Sequence, residues 1–115
     1  DSGKLRYQNA TEEELVDKFN NCCMIDKTTI LNGKLYRCPF SANAHNLNAI
    51  PPNKDDVVDL GDDNKTIHQI KDAVEQLHRN KKYLEAFKHF NGRDHLAPKI
   101  KAAIQTRKPL PIPKY

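Results

Sequence analysis

Three thiols are the side chains of this sequence best suited to hold a metal: Cys22, its neighbour Cys23, and Cys38. Cys23 is followed by nine residues, Gly33, four residues and Cys38, a C-x9-G-x4-C spacing. Asn32-Gly33 lies between the β-prone runs Thr28–Leu31 and Lys34–Cys38. Both central positions of a type I′ turn need positive φ, which Asn and Gly tolerate, so these residues predict a hairpin. The turn folds Cys38 back toward Cys23, and two neighbouring thiolates suit zinc or an iron–sulfur cluster. Either usually takes four ligands, so further donors are needed. Cys22 and His45, seven residues beyond Cys38, are the candidates. The plainer alternative, that these cysteines are small buried hydrophobes, stays open.

Little else in the chain suggests chemistry. His68, His78, His89 and His95 share no metal-ligand spacing with the cysteines and read as solvated. Asp55, Asp56, Asp59, Asp62 and Asp63 lack the order and closing Glu of a calcium loop and read as a solvated acidic loop. No nucleophile–base constellation or phosphate-cradling glycine loop occurs.

The elements that must position the thiols are legible in part. Thr11 and Glu14 form a capping-box pattern opening a helix from Glu12 to about Asn21, with Leu15, Val16 and Phe19 facing inward. That helix delivers the chain to Cys22-Cys23. Pro39 ends the second hairpin strand, Ser41–Leu47 predicts a helical turn, and Asp56–Leu60 a third short strand. Thr66 and Gln69 open a second capped helix to about Arg79, with Ile67, Ile70, Ala73, Val74 and Leu77 as its apolar stripe. A further helix is expected over Lys82–Phe90, with Tyr83, Phe87 and Phe90 on its core face, stopping near Asn91-Gly92. Residues 98–106 predict one more turn or short helix. The fold class that follows is α+β: one hairpin with a third short strand, packed on two or three helices. Residues 1–108 form a single domain, and Pro109, Pro111 and Pro113 make 109–115 an extended tail.

The chain has 115 residues, 37% of them hydrophobic and none of them Trp, enough for one modest core. No apolar run is long enough to span a membrane, and the first residues lack a secretory pattern, so a membrane partner is not expected. An odd cysteine count with two adjacent thiols argues for a reducing, cytoplasmic setting over a disulfide framework. The start at Asp1 suggests a domain cut from a longer chain. Charge is uneven: residues 1–77 carry nine Lys/Arg against thirteen Asp/Glu, and residues 78–115 ten against two. The C-terminal third is therefore a basic surface or tail.

The hairpin resembles the opening motif of SPASM/twitch domains, which follow the catalytic barrel of many radical-SAM enzymes and hold auxiliary [4Fe–4S] clusters. The likeness runs from Thr29 to Pro39, an apolar strand, a Gly turn, then a basic-aromatic strand ending in Cys-Pro. It continues more weakly at Tyr83–Arg93, where related domains carry a Cys-x2-Cys pair just before Asn-Gly-Arg. This chain has Phe87 and Phe90 there, and it contains no CxxxCxxC motif for a catalytic cluster. The resemblance implies an accessory domain of a radical-SAM iron–sulfur oxidoreductase. Such a domain is not catalytic in isolation, and it packs against the catalytic domain of the same parent chain, with the hairpin as part of the substrate-facing wall. It further implies Cys23 and Cys38 as ligands of an auxiliary [4Fe–4S] cluster whose set is incomplete without Cys22, His45 or a donor from elsewhere. S-adenosylmethionine would belong to the parent catalytic domain. The competing class is a metal-free interaction module that binds a protein or nucleic acid through Lys81, Lys82, Lys88, Arg93 and the basic residues beyond. Aromatic residues at 7% are too sparse for a base-stacking platform, which disfavours nucleic acid.

Overall fold

The structure is a computed structural model and describes residues 5, 7–79, 81–92, 105–109 and 111. It opens with helix α1 (Glu12–Asn20), closed by the full capping box: Glu14 N–H donates to Thr11 Oγ1, and Thr11 N–H to Glu14 Oε2. Three acidic residues fill its first turn, where the helix dipole favours them. Leu15 and Phe19, one turn apart, form its buried face.

Strands β1 (Thr29–Leu31) and β2 (Lys34–Tyr36) form the predicted hairpin. Asn32 and Gly33 at its tip have φ of 52° and 73°, the paired positive values of a type I′ turn. Strand β3 (Val57–Asp59) pairs antiparallel with β2, giving the order β1-β2-β3. The rows Ile30-Leu35-Val58 and Thr29-Tyr36-Val57 fall on opposite faces. Tyr36, 7% exposed, meets His45 of helix α2 (Pro39–Asn46), which packs across β1 and β2. Helix α3 (Ile67–Arg79) lies along β3, and Leu77 is its one buried residue. The fold is α+β, as expected.

Two expectations about helices are corrected. The segment read as a helical turn at Ser41–Leu47 is a full helix starting at Pro39. Proline does end β2, but its fixed φ and missing N–H also suit the first helical position. The helix expected over Lys82–Phe90 shrinks to a 3₁₀ turn at Glu85–Lys88. The side chain of Asp56, far away in sequence, accepts the N–H groups of Glu85 (3.0 Å) and Ala86 (2.8 Å). Leu84 consequently stays extended and cannot seed an earlier turn. The turn or short helix expected over 98–106 lies outside the described residues except at Gln105 and Thr106, as does most of the proline tail.

Arg37 joins these layers, a role its sequence context does not announce. Its Nε donates to Ile25 O, and its Nη1 to Leu77 O and His78 O, the last carbonyls of α3. The guanidinium also lies 5.5 Å from the Phe19 ring centroid. A cation at a helix C-terminus is favourable, and here it is 9% exposed. Arg37→Ala is expected to lower stability by about 2–3 kcal/mol in urea unfolding, because three carbonyls, one buried and two partly buried, lose a charged donor. Arg37→Lys recovers only part, since one ammonium cannot reproduce the planar fork. An unchanged midpoint for Arg37→Ala would contradict the clamp.

Candidate functional site

The thiols divide differently from the expectation. Cys22 (5% exposed) and Cys38 (4% exposed) both lie in the main core, with Leu15, Phe19, Leu84 and Phe87, whereas Cys23 is exposed. The α1 C-terminus explains this. Asn21 caps it, and Cys22 N–H still bonds back to Phe19 O, so Cys22 turns inward beside Phe19 and Cys23 enters the following surface turn. Cys38 is the N-cap of α2. Burial pushes its thiol up from the ordinary range, against the pull of the Ser41 and Phe40 amides, so at neutral pH it is protonated.

The positions that sequence alone placed apart, 22, 38, 87 and 90, converge here. The Phe87 ring is 1% exposed and sits edge-on to Phe19 at 6.1 Å, with Phe90 at 5.4 Å. Gly92, at φ 72°, closes the same region: a Cβ on it would lie 2.6 Å from Phe87 Cε1 and 3.3 Å from Cys22 Sγ. The Phe87 ring edge and the Cys22 sulfur thus border one tight space. Gly92→Ala is expected to cost about 2 kcal/mol or more, combining left-handed strain with overpacking. Gly33→Ala, at nearly the same φ with nothing within 4 Å of the added methyl, carries the backbone cost alone. Equal losses in the two variants, measured by urea unfolding, would contradict the packing of Phe87 against Gly92.

These residues do not fit a four-thiolate cluster. Two buried thiols face the core, the third is at the surface, and the remaining space is filled by the Phe87 ring. Among the described residues no group of three or more His, Cys, Asp or Glu is placed to hold a metal. His45 is not among the core residues that enclose the thiols: its ring lies against Tyr36, with centroids 5.8 Å apart. Comparison with family models, curated proteins and solved structures finds no match for this chain.

The sequence missed the second polar centre of the molecule. Asp56, read as part of a solvated acidic loop, is 0% exposed. It accepts the Glu85 and Ala86 amides and pairs with Lys81 Nζ at 3.6 Å. Burial raises its pKa, while the two amides and Lys81 oppose the rise. The rest of the acidic loop is solvated as expected, with Asp59 and Asp62 accepting amides two residues on in local turns. A hydrophobic β-strand starting with an acidic pair gave no sign that the second Asp turns inward.

His78 and His89, also read as solvated, are half-buried, and burial holds both, with His45, below the usual histidine range. The unfolded chain therefore binds these protons at higher pH than the folded chain. Stability rises with pH across this range and is lost as pH falls below about 6.5. Asp56 titrates with the opposite sign, so the imidazole contribution is isolated by His78→Gln, which should flatten the fall in melting temperature between about pH 7 and 5.5. An identical pH slope in that variant would contradict the assignment.

Proposed function

We propose that this chain is a metal-free accessory domain of the SPASM/twitch type, serving a radical-SAM enzyme by positioning substrate and making no radical itself. The observation that carries this is the convergence of Cys22, Cys38, Phe87 and Phe90 on one core, with a phenyl ring in place of a ligand. The hairpin, the Cys-Pro step into α2 and the approach of Gly92 to Cys22 are what support the reading. The chemistry of radical generation belongs to a separate catalytic domain, and what this chain supplies is shape: a rigid hairpin clamped by Arg37 and a filled interior.

An interaction module acting through the basic third has less support. Lys81 is committed to Asp56 and Lys88 to Glu85 at 2.5 Å, so two of its cations serve the fold. Arg93, Lys99 and Lys101 lie outside the described residues. No helix among the described residues is long and apolar enough to cross a membrane.

The test uses the enzyme that carries this domain. Cys22→Ser with Cys38→Ser should leave its iron content and S-adenosylmethionine cleavage unchanged, while removal of the domain abolishes turnover of the bound substrate. An enzyme lacking a radical-SAM cysteine motif, or one indifferent to removal of the domain, would refute the proposal.

A further inference from the structure

Helix α3 carries an apolar stripe along its whole length, yet only Leu77, near its C-terminal end, is buried. Ile67 is 75% exposed, and Ile70, Ala73 and Val74 are half-buried. Length accounts for this. The three residues of β3 span about 10 Å and the 13 residues of α3 about 20 Å, so the strand beneath cannot cover the whole stripe. Arg37, two residues after Leu35, reaches the last carbonyls of α3, which places the helix on the sheet face that carries Ile30, Leu35 and Val58. Val58 is buried there, while Ile30 at the β1 edge is 64% exposed. Apolar surface is thus left open on this side of the molecule by the sheet as well as the helix, and burying such surface drives association.

Charge along the stripe selects the occupant. Lys71 and Glu75 follow Ile67 at intervals of four and border the row of Ile70 and Val74 on one side. Gln69 and Gln76 border the stripe on the other side, which is uncharged. His68 and Asp72 pair with each other farther round the helix. Among the described residues no ion pair holds Lys71, and Glu75 meets Arg79 at 2.9 Å in a pair exposed to solvent. One cation and one anion a turn apart form a border that complements itself when reversed. In an antiparallel two-fold pairing that sets Ile70 of one copy near Val74 of the other, Lys71 falls near Glu75 of the other copy, and the axis repeats both contacts. A parallel pairing sets lysine on lysine and glutamate on glutamate. A partner surface of a single sign sets either Lys71 or Glu75 against its like.

We propose that α3 is a self-association surface, on which two copies of this chain pair antiparallel through Ile67, Ile70 and Val74, with Lys71 of each copy against Glu75 of the other. The pairing is independent of the accessory-domain assignment, since it requires neither a cluster nor a catalytic domain.

Sedimentation of the wild-type chain from about 10 μM to 1 mM should show a monomer–dimer equilibrium. Ile67→Asp places an acid at the first helical position, where the dipole favours it, so the helix is kept and association should weaken about tenfold or more. Lys71→Glu and Glu75→Lys should each weaken self-association by a similar factor, because like charges then meet at both ends of the contact. An equimolar mixture of these two variants should associate again, each copy now meeting opposite charges, a recovery that damaged folding cannot produce. A wild-type chain that stays monomeric at about 1 mM would overturn the proposal and leave the stripe to a different partner. A dimer that Ile67→Asp leaves unchanged, or a mixture that associates no better than either charge variant alone, would overturn it as well.

Discussion

Phe87→Ala is expected to lower the stability of this chain by about 3–5 kcal/mol, the cost of deleting a fully buried aromatic ring and leaving a cavity. A domain of this size has about 5–15 kcal/mol in total, so the melting midpoint should fall by more than about 10 °C. The ring is 1% exposed, meets Phe19 edge-on and fills the space bordered by Cys22 and Gly92. Its loss therefore removes both the packing of α1 on the 3₁₀ turn and the filling beside Cys22 and Gly92. Phe87→Leu should cost less, since most of the volume stays hydrocarbon. A loss below about 1 kcal/mol for Phe87→Ala in urea unfolding would mean that the ring does not occupy the core.

Asp56→Ala should be comparably severe, about 3–5 kcal/mol by the same measurement. The carboxylate satisfies two amides at the start of the 3₁₀ turn and the Lys81 ammonium, and its removal leaves one buried and one partly buried N–H group without an acceptor. Asp56→Asn is the informative companion. It keeps one oxygen but presents NH₂ to an N–H donor, so it recovers part of the loss and not all of it. Double substitution with Lys81→Met should be less than additive, because the lysine is no longer left beside an empty partner. Full additivity would show that the ion pair contributes nothing.

How much of this was legible in the sequence follows from the range of each interaction. Both capping boxes, Thr11/Glu14 and Thr66/Gln69, and the Asn32-Gly33 hairpin are local, and each formed where its residues predicted. The turn at Glu85–Lys88 was misread as a helix because its first amides are taken by Asp56 across about thirty positions of chain, which no local pattern encodes. Arg37 was invisible for the same reason: its partners at Leu77 and His78 lie forty and more residues on. The candidate site was half legible. The spacing C-x9-G-x4-C identified the right hairpin but favoured Cys23, and only the direction in which α1 ends turns Cys22 inward in its place. Phe87 and Phe90 were legible as a core face, but their convergence on Cys22 and Cys38 required the fold.

Anaerobic reconstitution of this chain with ferrous iron and sulfide asks whether the core around Cys22 and Cys38 can hold a cluster. A colourless protein is expected after desalting, with iron far below one per chain and an unchanged melting temperature in chelator, because two buried thiols and a phenyl ring leave no room for a cluster. A stoichiometric, visibly absorbing cluster that disappears in Cys22→Ser or Cys38→Ser would contradict it.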